Sequence, residues 1–303
     1  MNEVLIALSI NKGIGLHIFC AMNIFRFFII AFLFLYPDQA VHTQEKARYK
    51  CAYRLEFLKD TLAFEYFRPE IYVVQIGDKI TKGFTYQKFY LDSLKTHAPD
   101  LYRKLFNSSV KESIEAMRST GDISHVRNNP FHYGAFASDL YKDYGRNEIR
   151  VKDNISIYSF VYTDELHPQN WDIQHDTTTI LGYVSQKATC HYRGRDWIAW
   201  FTLEIPISEG PWKFYGLPGL ITKIHDTKKQ YCFELTGFQK VEENIEINIP
   251  RTVQKIERKE FIKSKMGKTA ESITESEMVR VGLSSKSYSK TKRYDYIELD
   301  YKD

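Results

Sequence analysis

Cys190-His191 sets a thiol beside an imidazole, the two groups from which a nucleophile and its base are made. The surrounding residues read as a β-strand, where neighbours point to opposite faces. The thiol and the ring are therefore out of each other's hydrogen-bond reach. His225-Asp226 falls at an expected hairpin turn, and turn chemistry explains the acid. His167 and His175 have no spacing that implies a shared ligand set. The chain has no G-x-S-x-G, no H-E-x-x-H, no Walker loop and no Cys-x-x-Cys. Serine hydrolase, zincin, P-loop and thioredoxin chemistry have no motif behind them. The expectation is no catalytic residue, no metal ligand and no cofactor.

The most distinctive stretch is a loop and not a catalytic motif. Gly210, Pro211, Trp212, Lys213, Phe214, Tyr215, Gly216, Leu217, Pro218, Gly219, Leu220 and Ile221 follow one another between two apolar strand-like runs. Lys213 is its only charged residue, so the stretch argues for a shaped, ordered loop. Leu217-Pro218-Gly219 fits a type II turn, which predicts φ > 0 at Gly219. A long loop between strands is usually functional or packed by its own side chains. Trp212, Phe214 and Tyr215 either plug one end of a β core or form the aromatic lip of a cavity. Residues 210–212, 214–220 are the candidate binding loop.

The elements that would hold this loop are mostly strands. Tyr49, Cys51, Tyr53, Leu55 and Phe57 take one face of a strand, with Lys50, Arg54 and Glu56 on the other. Residues 63–68 and 71–76 read as two more strands, and Phe84 to Phe89 pairs again. Ala188–Tyr192 and Trp197–Ile205 flank Arg193-Gly194-Arg195-Asp196. With Gly194-Arg195 as a two-residue type II′ loop, Tyr192 faces Trp197, Cys190 faces Ala199 and Ala188 faces Phe201. Tyr192, Trp197 and Phe201 then form a candidate apolar face, continued by Leu203 and Ile205. Leu220–His225 and Gln230–Phe238 make a further hairpin over residues 226–229. A helical segment is expected near 93–119. Leu94, Ala98, Leu101 and Leu105 share one face, Asn107-Ser108-Ser109 interrupts, and Val110, Ile114 and Met117 continue. Residues 122–150 read as loop, 155–163 as β-rich, 253–266 as moderately helical, and Ser272 opens a short helix closed by Gly282.

Met22 to Arg26, followed by the apolar run Phe27 to Tyr36, has the form of a secretory signal. At about ten residues the run is short of the roughly 20 that a membrane span needs. Residues 1–21 read as upstream sequence or a mis-assigned start, 22–43 as signal peptide, and 45–303 as a single β-rich domain. Cleavage is expected between Ala40 and Gln44. The formal net charge of +4 is small and well mixed, which gives no reason to expect nucleic acid. Of four cysteines, Cys51, Cys190 and Cys232 belong to the mature chain. Cys51 and Cys190 lie on apolar strand faces, so a single disulfide would be Cys51–Cys190; the alternative is three free thiols.

The letters of the loop resemble the signature of the GLPGLI family of exported bacterial proteins. The likeness extends to Val74 to Lys79, Trp171, Gly182-Tyr183, Gln186 to Thr189, Gly194-Arg195, Ala199-Trp200-Phe201 and Ile205-Pro206. Tyr294 to Leu299 is similar to that family's C-terminal motif, with Asp295-Tyr296 in place of Asn-Pro. Ser185 stands where many members carry Cys. The resemblance implies a Gram-negative envelope protein, periplasmic or outer-membrane associated, without an established activity. The order of elements is also similar to periplasmic half-barrels of the lipoprotein-carrier type. The fold class expected is mainly β (α+β): a curved, half-barrel-like antiparallel sheet with a few helices on or beside it. The function expected is non-enzymatic, the binding of a lipid or other apolar ligand or of an outer-membrane protein partner. The alternatives are a structural adaptor without a cavity and a hydrolase with an unrecognised site.

Overall fold

The computed structural model describes residues 45–60, 65–66, 68–120, 136–155, 158–249, 254–266 and 295–302. The expected signal peptide, the segment upstream of it and the helix from Ser272 to Gly282 lie outside the described residues.

Two antiparallel meanders make one 12-stranded sheet. The first comprises β2 (Tyr49–Asp60), β4 (Glu70–Ile76), β5 (Ile80–Thr85), β6 (Asp139–Asp143), β7 (Glu148–Ile155) and β8 (Tyr158–Glu165). The second comprises β9 (Asp172–Ile180), β10 (Tyr183–Tyr192), β11 (Arg195–Thr202), β12 (Leu220–Asp226) and β13 (Tyr231–Lys240). Pairing of β2 with β13 zips the two together, and β3 (Glu65–Tyr66) adds to the far end of β2. A separate two-stranded ribbon joins β1 (Glu45–Lys46) to β14 (Glu246–Ile247).

The curvature follows from a length constraint. The sheet edges are β8 and β9, ten strand steps apart, or roughly 48 Å if the sheet were flat. Yet only residues 166–171 connect them, and that connection reaches no further than about 25 Å. The sheet must curl until its edges approach. The core fills the curl. Cys51, Tyr53, Leu55 and Phe57 from β2, Tyr72, Val74 and Ile76 from β4, and Trp197, Ala199 and Phe201 from β11 all point into it.

α1 (Tyr86–His97) lies against β4 and β5 and buries Leu91 and Lys88. α2 (Pro99–Thr120) follows it. Helix therefore begins at residue 86, where a strand was expected to run on to Phe89. α2 also continues through Asn107-Ser108-Ser109. The break falls at Ala98 instead, with φ −143° and ψ 60°. Pro99 explains this, because its ring disfavours helical geometry at the residue before it and suits the first position of a helix. Residues 258–266 are helical as well.

Three further expectations need correction. Within the expected 122–150 loop, residues 139–143 form β6 and residues 148–150 open β7. Their inward Lys142 and Asp153 hide the apolar alternation. The β10–β11 turn is Arg193-Gly194, with φ 53° and 76°, a type I′ turn. Tyr192 therefore faces Arg195, and Cys190 faces Trp197. The partner slips by two residues, an even number, so every side chain keeps its expected face. Leu203 is exposed because β11 ends at Thr202, whereas Ile205 returns to the core. Finally, Cys51, Cys190 and Cys232 are free thiols. Cys51 and Cys190 sit four strand steps apart, about 19 Å along the sheet, whereas a disulfide needs Cα atoms within about 7 Å.

Candidate functional site

The signature loop folds into the curl, with most of its side chains buried. Leu220 N–H donates to Ile205 O at 3.0 Å and Ile221 N–H to Glu209 O at 2.9 Å, which staples the loop's ends together. Glu209 and Tyr215 form an antiparallel bridge. Between residues 210 and 220, only Gly216 and Pro218 are exposed. The aromatic residues plug the core. Trp212 is 4% exposed and Phe214 0%. Phe214 packs 4.7 Å from Trp197 and 5.1 Å from Trp212, ring centre to ring centre. Tyr192 stands 5.9 Å from both Trp212 and Phe214. The candidate loop and the candidate apolar face thus meet in one aromatic stack. Phe201 lies in the same core without joining it.

A buried loop must have its backbone polar groups satisfied. The partners come from distant chain. Lys142 Nζ on β6 donates to Gly210 O at 3.2 Å and Phe214 O at 3.1 Å. Trp171 Nε1 donates to Tyr215 O at 2.8 Å. The Gln169 amide binds Lys213 O at 3.2 Å and the Tyr215 N–H at 2.9 Å.

The glycines serve close approach more than turn chemistry. Gly216 has φ 96°, and a Cβ there would lie 2.6 Å from Pro168 Cβ. Gly219 is not in the left-handed region, so the type II turn expected at Leu217-Pro218-Gly219 does not form. Its requirement for glycine is steric, since a Cβ would fall 1.9 Å from Thr202 O, a backbone atom that cannot swing away. Gly219→Ala is expected to lower stability by about 3 kcal/mol, the upper end of ordinary overpacking. Chemical denaturation measures this, and an unchanged midpoint contradicts it.

Two buried charge clusters anchor the loop, and no local spacing in the sequence signals either. In the first, Glu209 accepts from Lys142 Nζ at 2.5 Å, from Thr81 Oγ1 at 2.9 Å and from the Tyr144 hydroxyl. In the second, Lys213 is 0% exposed and reaches Asp164 at 2.9 Å and Glu298 at 2.6 Å. Arg193 joins Asp164 at 2.5 Å and Asp300 at 3.0 Å. Arg258 pairs with Glu298 and, at 2.7 Å, with Asp300. Three cations thus face three carboxylates. Burial pushes the Lys213 pKa down, but Glu298 and Asp164 outweigh it and the net shift is up. Burial pushes Asp164 up, but Lys213, Arg193 and Arg258 outweigh it and the net shift is down. Both groups stay charged at neutral pH, so this is a locked ion cluster and not a proton-transfer site. Next to it, Arg195 donates to Asp226 at 3.0 Å, Ile297 O at 2.9 Å and Tyr296 O at 2.8 Å. Residues 295–302 are thereby clamped across the β10–β11 turn.

The thiol and imidazole groups that could do chemistry are separated. Cys190 is buried, and burial pushes its pKa up to about 12, which leaves it a thiol. His191 points the other way and bonds Asp196 at 2.7 Å, both exposed. His167 bonds exposed Glu165 at 3.0 Å. Among the described residues no group of three His, Cys, Asp or Glu side chains is placed to hold a metal ion. No described helix is long and apolar enough to cross a membrane.

No curated protein matches the chain significantly. Two solved structures of PNGF-II, one in space group P21 and one in C2, resemble it at 13% identity and a TM-score of 0.44. They cover 72% of this chain, which spans 33% and 32% of theirs. A likeness this low carries no inference about function. Residues 192–223, from the end of β10 through the signature loop into β12, match a family described as a protein of unknown function, Porph_ging.

Proposed function

We propose that this chain is an exported, non-enzymatic envelope protein of GLPGLI type that binds a protein partner through an aromatic face of α1. The observation that carries the reading is the placement of its aromatic side chains. The signature-loop rings pack against each other in the core, which argues against a cavity lip and an apolar ligand held there. Tyr86, Phe89 and Tyr90, by contrast, are 54%, 50% and 44% exposed. They stand at i, i+3 and i+4 on the first turns of α1, so they share one helical face. The Tyr86 ring stacks 6.5 Å from Tyr90, and Phe84 supports Phe89 from below at 5.4 Å. Such a row fits the apolar groove of a partner that takes an amphipathic helix, and Tyr is enriched among binding hot spots. The converging carboxylates Asp164, Glu298 and Asp300 do not favour a hydrolase, because each is neutralised by a buried or half-buried cation.

Native mass spectrometry of protein purified from the envelope tests the reading. The expected result is a chain beginning between residues 40 and 44 with a bound protein. Replacing Tyr86, Phe89 and Tyr90 by Ser should abolish that partner and leave the melting temperature unchanged. A partner retained by the triple variant, or a bound lipid in place of a protein, overturns the reading.

A further inference from the structure

The chain treats the two edges of its sheet differently. Along β8 it lays its own residues 254–256: Val161 N–H donates to Gln254 O at 2.8 Å and Ile256 N–H to Val161 O at 3.2 Å. At the other edge, β9 pairs with β10 alone among the described residues. Most β9 side chains are exposed, on both faces of the strand. The strand contains no Pro and no Lys, two devices by which proteins blunt an open edge. Its Thr177-Thr178-Thr179 run is instead well suited to pairing.

The hairpin turn dictates which backbone groups are available. Leu181 has φ 51° and Gly182 φ 84°, a two-residue type I′ loop. Ile180 and Tyr183, which flank it, form a hydrogen-bonded pair, and such pairs alternate along the ladder. Thr178 therefore turns its N–H and C=O toward β10. Thr177 and Thr179 turn theirs outward, where the described sheet has no strand to meet them.

We propose that β9 is the seat of a second copy of this chain, paired antiparallel about Thr178 to give a two-fold dimer with one continuous sheet. This register lets Thr177 of one copy exchange two backbone hydrogen bonds with Thr179 of the other. Thr178 meets its own symmetry mate, and Thr–Thr pairs are favourable cross-strand neighbours. Asp176 meets Ile180 and so avoids its own like charge. Leu181 and Val184, 49% and 60% exposed, flank the run and add apolar surface for the second copy to cover. An isologous contact of this kind closes on itself and does not propagate into a filament.

Sedimentation equilibrium of the full mature chain tests the proposal. The expected mass is twice that of the monomer, and Thr179→Pro should halve it with the circular dichroism unchanged. Proline is tolerated there because the lost N–H faces away from β10. Thr178→Pro, whose N–H belongs to the β10 ladder, should instead destabilise the hairpin. Hydrogen exchange gives the second readout: the amides of Thr177 and Thr179 should be protected in the dimer and exchange freely on dilution. A monomer at every concentration overturns the proposal. So does a dimer that survives Thr179→Pro, or one abolished by the α1 triple variant, which would place the contact on the other surface.

Discussion

Trp212→Ala is expected to lower the unfolding free energy by about 3–5 kcal/mol, the cost of deleting a large ring from a packed core. The side chain is 4% exposed and touches Tyr192, Trp197 and Phe214, so little can collapse into the space it leaves. Its backbone is at φ 53°, an uncommon conformation for a bulky residue. Alanine is no easier at that φ, so the substitution removes packing without relieving strain. Urea unfolding followed by circular dichroism gives the number directly. A variant as stable as the wild type would mean that Trp212 stands on a cavity rim after all.

Glu209→Ala should be comparably damaging, for an electrostatic reason. It leaves the Lys142 ammonium buried with two carbonyl oxygens and no counter-charge. Breaking one partner of a buried ion pair costs about 3–5 kcal/mol, whereas replacing both by apolar groups is often far milder. The double variant Lys142→Met with Glu209→Leu should therefore lose less than the sum of its single variants. The recovery will be partial, because Lys142 also satisfies the Gly210 and Phe214 carbonyls. A double-mutant cycle on unfolding free energies measures the coupling. Additive losses would mean that the two charges do not depend on each other.

Both expectations concern residues that hold the loop, and they explain why a loop so distinctive in sequence lies mostly inside. Two buried charge clusters hold it. One ties it to β6, the other to β8 and the C-terminal residues 295–302. The loop's hydrophobic side chains and its single lysine point inward together, which is possible only because partners for the lysine arrive from elsewhere in the chain.

Alternation alone determined the inward faces of β2, β10, β11 and β13, because a pleated strand sends every second side chain to the core whatever its neighbour's register. Trp197 and Phe201 therefore face the core as alternation predicts, even though the β10–β11 turn lies one residue earlier than expected. The β12–β13 hairpin was legible for the same reason. Composition alone also marked residues 210–221 as an ordered loop. What the tertiary structure decided was everything that depends on distant partners. Strands β6 and β7 are hard to see in the sequence because Lys142 and Asp153 turn inward, and charged residues do so only when a counter-ion waits there: Glu209 for one, Lys265 for the other. The Leu217-Pro218-Gly219 motif predicts a turn glycine, since a local motif carries information on φ but none on Thr202, whose carbonyl occupies the space a Cβ would need. The curl of the sheet came from the conjunction of a short 166–171 connection and the β2–β13 pairing. The burial of Trp212, Phe214 and Lys213 follows from that curl, because only a curled sheet brings β6, β8 and residues 295–302 around one loop.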